Sequence, residues 1–171
     1  MNGTNEKNTG NQLSGEVVKV VSFGLGSEEY GVDIGQVQEI IRMVEITHVP
    51  RAPRFMEGVI NLRGQLVPII DLRTRFGMQR LEATKSTRIV VTEIGSKRVG
   101  MVVDNVSEVL NIPIENVEDA PEMIAGVGTE YIQGVGKVGD RLIIMLDLTM
   151  VITTDERRDL ELLDPQLTAS T

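Results

Sequence analysis

The feature that most constrains this chain is a hairpin written twice. Residues Gly58-Val-Ile-Asn-Leu-Arg-Gly-Gln-Leu-Val-Pro-Ile-Ile-Asp-Leu72 hold two short β-branched runs broken at Arg63-Gly64. Gly takes positive φ without strain, so a Gly-containing pair between such runs predicts a tight hairpin turn. Gly134-Val-Gly-Lys-Val-Gly-Asp-Arg-Leu-Ile-Ile-Met-Leu-Asp-Leu148 lies over it without gaps, Gly58 on Gly134 and Asp71-Leu72 on Asp147-Leu148, with the turn at Gly139-Asp140. A repeat of this kind marks a duplicated folding unit.

The opening segments repeat as well. Val17–Leu25 and Tyr30–Ile34 read as two strands around a Gly26-Ser27 turn. Arg88–Ile94 and Val99–Val103 do the same around Gly95-Ser96. Val37 falls on Val106, Glu39 on Glu108, and Ile40-Ile41 on Val109-Leu110. The offset is 69 residues there (37 to 106) and 76 at the closing hairpins (59 to 135), so the second copy gains about seven residues within 111–131.

Between these strands the signals are weaker. Val37, Ile40 and Ile41 have i, i+3, i+4 spacing, which predicts a turn or two of helix over Gly35–Ile41, plugging a barrel. Glu45–Val49 reads as a short strand stopped by Pro50, and Arg51–Met56 as a loop. Pro68, lacking an N–H, suggests a sheet edge or bulge. Arg73–Gly77 reads as a turn or helical tail, and Met78–Ser86 as a polar linker. Leu148, Val151 and Ile152 begin a helical spacing that predicts a C-terminal helix from about Thr149, ending before Pro165. Residues 1–15, rich in Asn, Gly, Thr and Ser, read as a disordered leader.

Each copy then holds about five short strands with turn signals roughly every 6 to 12 residues, a pattern of small barrels and not of a parallel α/β sheet. Barrels of about 65–75 residues are marginal alone, so the two should share an apolar seam. The expected layout is a domain over 16–154, with one barrel about 23–85, the other about 87–148, and the N-terminal strand and C-terminal helix packing across them. Residues 155–171 would be the end of that helix and a frayed tail.

Composition narrows function by exclusion. The net charge of −8 and the presence of only two Tyr and three Phe, with no Trp, argue against nucleic acid, which needs a basic surface and stacking aromatics. No apolar run nears the ~20 residues that cross a bilayer, so direct membrane insertion is not expected, and no signal-peptide pattern opens the chain. The absence of Cys rules out thiol chemistry and suits a reducing compartment. One His, His48, cannot build a His-based metal site, and no Ser elbow accompanies it. There is no phosphate loop; Gly24-x-Gly26 and Gly126-x-Gly128 are incomplete dinucleotide signals. No catalytic residue, metal or cofactor is expected. A carboxylate enzyme in the inter-barrel groove is the alternative that composition leaves open, and no motif supports it. A partner-binding module fits better: small barrels expose edges and grooves, and Arg63 among apolar neighbours is a typical interface anchor. As an isolated turn residue Arg63 would simply be solvated.

The residues also carry a resemblance. Gly58-Val-Ile-Asn-Leu-Arg-Gly64 with Val67-Pro-Ile-Ile-Asp-Leu72 resembles the signature of the CheW-like family of bacterial chemotaxis coupling proteins. So do Glu29–Ile34 with Val37-Gln-Glu-Ile40, Gly100–Asp104 with Val106–Leu110, and Asp140–Ile144. The likeness runs from about Val17 to Ile152. The same domain ends the histidine kinase CheA and begins the adaptor CheV; with neither a kinase nor a receiver domain, this chain resembles the stand-alone form. The resemblance implies two five-stranded SH3-like barrels, intertwined around a shared core, and no catalysis. It implies a cytoplasmic adaptor, associated with membrane receptor arrays through its partners, that joins the cytoplasmic tip of methyl-accepting chemoreceptors to the regulatory domain of CheA. It points to Val37, Glu39, Gly58, Asn61, Arg63, Gly64 and Val106 as receptor-binding positions, with Glu39 and Arg63 linked to each other. The kinase contact is expected on the first barrel, with its residues unassigned. An adaptor for a non-flagellar output, pili or a second messenger, is the nearest alternative.

Overall fold

The computed structural model describes residues 15–119 and 130–169, with residues 163–169 as backbone alone. The leader, save Gly15, and the middle of the inserted stretch, residues 120–129, lie outside the described residues. Among the described residues, eleven strands and two α-helices follow one another: β1 (Val17–Leu25), β2 (Glu28–Asp33), β3 (Glu39–Arg42), β4 (Gly58–Leu62), β5 (Gln65–Asp71), α1 (Leu72–Arg75), β6 (Arg88–Ile94), β7 (Lys97–Val103), β8 (Asn105–Pro113), β9 (Val117–Glu118), β10 (Ile132–Val138), β11 (Arg141–Leu146) and α2 (Thr154–Ala169). The fold is mainly β, as expected.

The strands form two curled sheets, ordered β8-β1-β2-β11-β10-β9 and β3-β6-β7-β5-β4. Neither sheet is one copy of the repeat. The opening hairpin of the first copy pairs in parallel with the closing hairpin of the second, Tyr30 opposite Ile144 and Val32 opposite Leu146. The closing hairpin of the first copy pairs with the opening hairpin of the second, Ile69 opposite Gly100. The sheets thus exchange hairpins between the two copies of the repeat. A short hairpin has two edges to cover, and a duplicated chain can cover them with the other copy's equivalent strand. One sheet has five strands and the other six.

The exchange explains why the strands are apolar on both faces. Along β6, Ile89 and Val91 point into the five-stranded sheet with Ile60, Val67 and Ile69. Val90 and Ile94 point the other way, into a central seam. Val20, Ile112, Ile143 and Met145 fill the six-stranded sheet. The seam holds Val21, Phe23, Leu25 and Val32 from one sheet and Ile70, Val99, Met101 and Val103 from the other, with Leu160 of α2. Four of the five aromatic residues form a chain of ring contacts along it: Phe23 stacks on Tyr30, Tyr30 meets Phe76 at a tilt, and Phe76 stacks on Tyr131 at 4.7 Å.

Several local readings change. Gly35–Ile41 is not a helix. A single 3-10 turn over Ile34–Gln36, capped by the Asp33 carboxylate on the Gly35 N–H, leads into β3. The β-branched pair Ile40-Ile41 sits on a strand, with Ile41 packed inward and Ile40 exposed, because β6 offers β3 a free edge. Glu45–Val49 shrinks to one bridge, Thr47 with Val59. Pro68 is inside the sheet. Opposite it, Val59 donates its N–H to the Thr47 carbonyl and accepts the Thr47 N–H, and the ladder to β7 starts only at Ile69, so no donor is missed at Pro68. The C-terminal helix starts later than expected and runs past Pro165. Leu148–Met150 is a 3-10 turn capped by Asp147. Thr153 and Glu156 then form a reciprocal capping box, the Glu156 N–H to Thr153 Oγ1 at 3.1 Å and the Thr153 N–H to Glu156 Oε1 at 2.9 Å.

Closure of each sheet also repeats. Thr47 bridges Val59 in one, and Glu118 pairs with Val135 in the other. At Gly58 an added Cβ would clash with the Thr47 carbonyl, and at Gly134 with the Glu118 carbonyl. That close approach is why glycine opens both copies of the hairpin.

Candidate functional site

The β4–β5 turn sets the site. Leu62 pairs with Gln65, leaving Arg63 and Gly64 as a two-residue turn. Both have positive φ, +53° at Arg63 and +89° at Gly64. Few non-Gly residues adopt that conformation, so the neighbours must hold Arg63 there. The Asn61 side chain does part of this by accepting the Gly64 N–H at 2.8 Å. Glu39 at the start of β3 does the rest: its carboxylate takes both terminal nitrogens of Arg63, at 2.5 and 3.2 Å. The Arg63 side chain is still 65% exposed.

Glu39 is itself held by a residue that sequence reasoning missed. Arg98 of β7 donates to Glu39 Oε1 at 2.7 Å, to Gln38 Oε1 at 3.0 Å and to Gln65 Oε1 at 3.2 Å. Gln38 donates on to Glu93 at 3.1 Å. The Arg63 hydrogen bonds, aided by Arg98, hold the Glu39 carboxyl below the usual glutamate range, and Glu39 in turn raises Arg63. The carboxylate therefore stays charged and fixes two guanidiniums, one offered to solvent and one tied to the sheet.

The repeat contains a counterpart. Glu29, Glu108 and Arg141 stand where Arg98, Glu39 and Gln65 stand, by the same offsets. Arg141 donates to Glu29 at 2.5 Å and to Glu108 at 3.1 Å. Only the hairpin exchange brings Arg98 against Glu39, so the signal for Arg98 lay in a pairing the sequence order hides.

Other expected positions sit elsewhere. Val37 and Val106 both pack, half-buried, against the central seam where the sheets meet. Gly58 is buried at the closure of the five-stranded sheet. Thus Glu39, Asn61, Arg63 and Gly64 form one hydrogen-bonded cluster, Val37 and Val106 mark the seam, and Gly58 supports the hairpin that carries Arg63. Among the described residues, no group of three or more His, Asp or Glu side chains converges as a metal site.

The described residues thus form two curled, interleaved β sheets with a polar cluster at one turn. The CheW-like domain family matches residues 19–156, and the chain belongs to that family. It is 41% identical over 150 residues to the chemotaxis protein CheW of Klebsiella aerogenes, covering 86% of this chain and 90% of that protein. The CheW of Treponema pallidum is 33% identical over 154 residues, 86% of this chain and 89% of that protein. Among solved structures, the scaffolding protein TtCheW from Thermoanaerobacter tengcongensis superposes with a TM-score of 0.74 at 37% identity, covering 82% of this chain and 95% of that one. The chain is thus a chemotaxis scaffold of the CheW type. These names read chemotaxis, and the pilus or second-messenger alternative finds no support in them.

Proposed function

We propose that the protein is a non-catalytic, cytoplasmic adaptor that couples the cytoplasmic tips of chemoreceptors to the regulatory domain of the histidine kinase CheA, so that receptor state controls autophosphorylation. The observation that carries this reading is the Arg63–Glu39–Arg98 array. A largely exposed guanidinium is held in one pose by a carboxylate that is itself anchored, which is how an interface arginine is prepared before its partner arrives. Arg63 and Glu39 face the receptor, Asn61 and Gly64 set the turn, Gly58 supports the hairpin, and Val37 and Val106 line the groove between the sheets. The kinase contact uses another part of the surface. The family assignment, and the absence of any helix among the described residues long and apolar enough to cross a membrane, agree with an adaptor that reaches the membrane through its partners.

The test is binding to a receptor signalling-tip fragment and to the isolated CheA regulatory domain, with wild type and Arg63→Ala. Arg63→Ala should weaken receptor binding and leave kinase binding intact. Loss of both, or of neither, would overturn the assignment of Arg63 to the receptor face.

A further inference from the structure

Between the 78–87 connector and the body of the protein lies a cavity of about 530 Å³, in the range of small-molecule sites. None of the seven residues assigned to the receptor face lines it. Its apolar walls are Met43 and Ile46 from the segment after β3, Val102 of β7, and Leu81 and Ala83 of the connector. Its charged groups are unequal in sign: Glu57, Asp71, Glu82 and Asp104 against Arg73 and Arg80. Both cations are already committed. Arg73 is bidentate on Asp104 at 2.7 and 2.8 Å, and Arg80 is bidentate on Glu57 at 2.6 and 2.7 Å. Asp71 makes no ion pair among the described residues; its carboxylate accepts the Arg73 backbone N–H at 2.9 Å. Burial pushes its pKa up, with the Glu57 charge adding to it, against the opposing pull of the Arg73 and Thr74 backbone N–H groups and the Arg80 charge.

We propose that this cavity binds a small organic cation, an ammonium or guanidinium on an apolar body, with Asp71 receiving the charged head and Met43, Ile46, Leu81, Ala83 and Val102 enclosing the body. Anions are repelled by the lining, which carries four carboxylates against two guanidiniums, and neutral ligands gain nothing from that excess. The site adjoins a latch between the sheets, because Asp104 also accepts the Gly26 N–H from the β1–β2 turn at 2.8 Å. An occupant therefore bridges the connector and the wall that carries this latch.

The experiment is an amide-resolved NMR titration of the full chain with phenethylamine, phenethyl alcohol and phenylacetate as probes. Phenethylamine should bind saturably, shifting amides of Val102, Asp104 and the 81–87 connector, with affinity about tenfold above the alcohol and no binding of phenylacetate. Asp71→Asn, which keeps the α1 cap, should lose about tenfold in affinity for the amine. Ala83→Phe, which fills the cavity from the connector, should abolish the shifts while the rest of the spectrum stays folded. Equal binding of amine and alcohol, shifts that map elsewhere, no saturable binding, or amine affinity untouched by Asp71→Asn would each overturn the proposal.

Discussion

Arg63 joins an unusual conformation to the proposed receptor contact in one residue. Its positive φ is set by the turn, and its side-chain pose by Glu39, while an exposed ion pair adds little to stability. Arg63→Ala and Glu39→Ala should therefore leave the melting temperature nearly unchanged and weaken receptor binding, Arg63→Ala the more. A large fall in melting temperature with unchanged receptor affinity would refute the division of roles. The glycines behave in the opposite way. Gly58→Ala and Gly134→Ala each force a Cβ onto a backbone carbonyl, so each should cost about 1–3 kcal/mol in denaturant unfolding, wherever the functional face lies. At this scale the sequence was informative where the motif is local: Asn61, Arg63 and Gly64 sit in one turn. Arg98 was invisible because its contact with Glu39 spans 59 residues and depends on which hairpins pair.

At the scale of elements, ion pairs join pieces that the chain separates. Asp104 ties α1 to the β1–β2 turn through Arg73 and Gly26, and Glu156 ties α2 to α1 through Arg75 at 2.7 Å. Burial raises both carboxyls, but the guanidinium and backbone N–H bonds outweigh it and hold them below their ordinary values. The folded state thus binds fewer protons at these sites than the unfolded state. Their stabilisation is present above the unfolded carboxylate pKa and is lost as pH falls through the lower folded values. Asp71 has the opposite sign, since burial raises its pKa; its contribution is present below the ordinary aspartate value and lost as pH rises. Acid titration of stability should show Asp104→Asn with a shallower acid loss than wild type, and Asp71→Asn no less stable at neutral pH. A neutral-pH loss in Asp71→Asn would show that its charge is compensated. Most strand positions were legible because their β-branched runs are long; β8, Asn105–Pro113, was not read as a strand. The stretches misread, 35–41 and 45–49, are short, and their conformation is decided by the edge they meet: β6 for Ile40-Ile41, and Val59 for Thr47. The helix starts later than the apolar spacing of Leu148, Val151 and Ile152 implies because the reciprocal capping box of Thr153 and Glu156 fixes its first turn.

For the whole molecule, exchange of hairpins makes the two sheets inseparable. Removing either copy of the repeat would strip a hairpin from both sheets. Calorimetry should therefore show one cooperative transition, and truncating Met101, fully buried in the seam, should lower that transition as a unit by about 2–5 kcal/mol. Two resolved transitions would contradict the shared seam. The duplication and the mainly β class were readable from the paired hairpins. The exchange was not, because equivalent strands of a repeat are interchangeable as partners and local pattern does not say which copy is used.

The measurement that tests the central claim most directly is a calorimetric titration of the full chain with the isolated CheA regulatory domain from the same cell, repeated with Arg63→Ala. An adaptor whose receptor face is separate from its kinase face predicts saturable one-to-one binding that Arg63→Ala leaves unchanged. No binding at high protein concentration would contradict the adaptor reading, and binding abolished by Arg63→Ala would contradict the placement of the two faces.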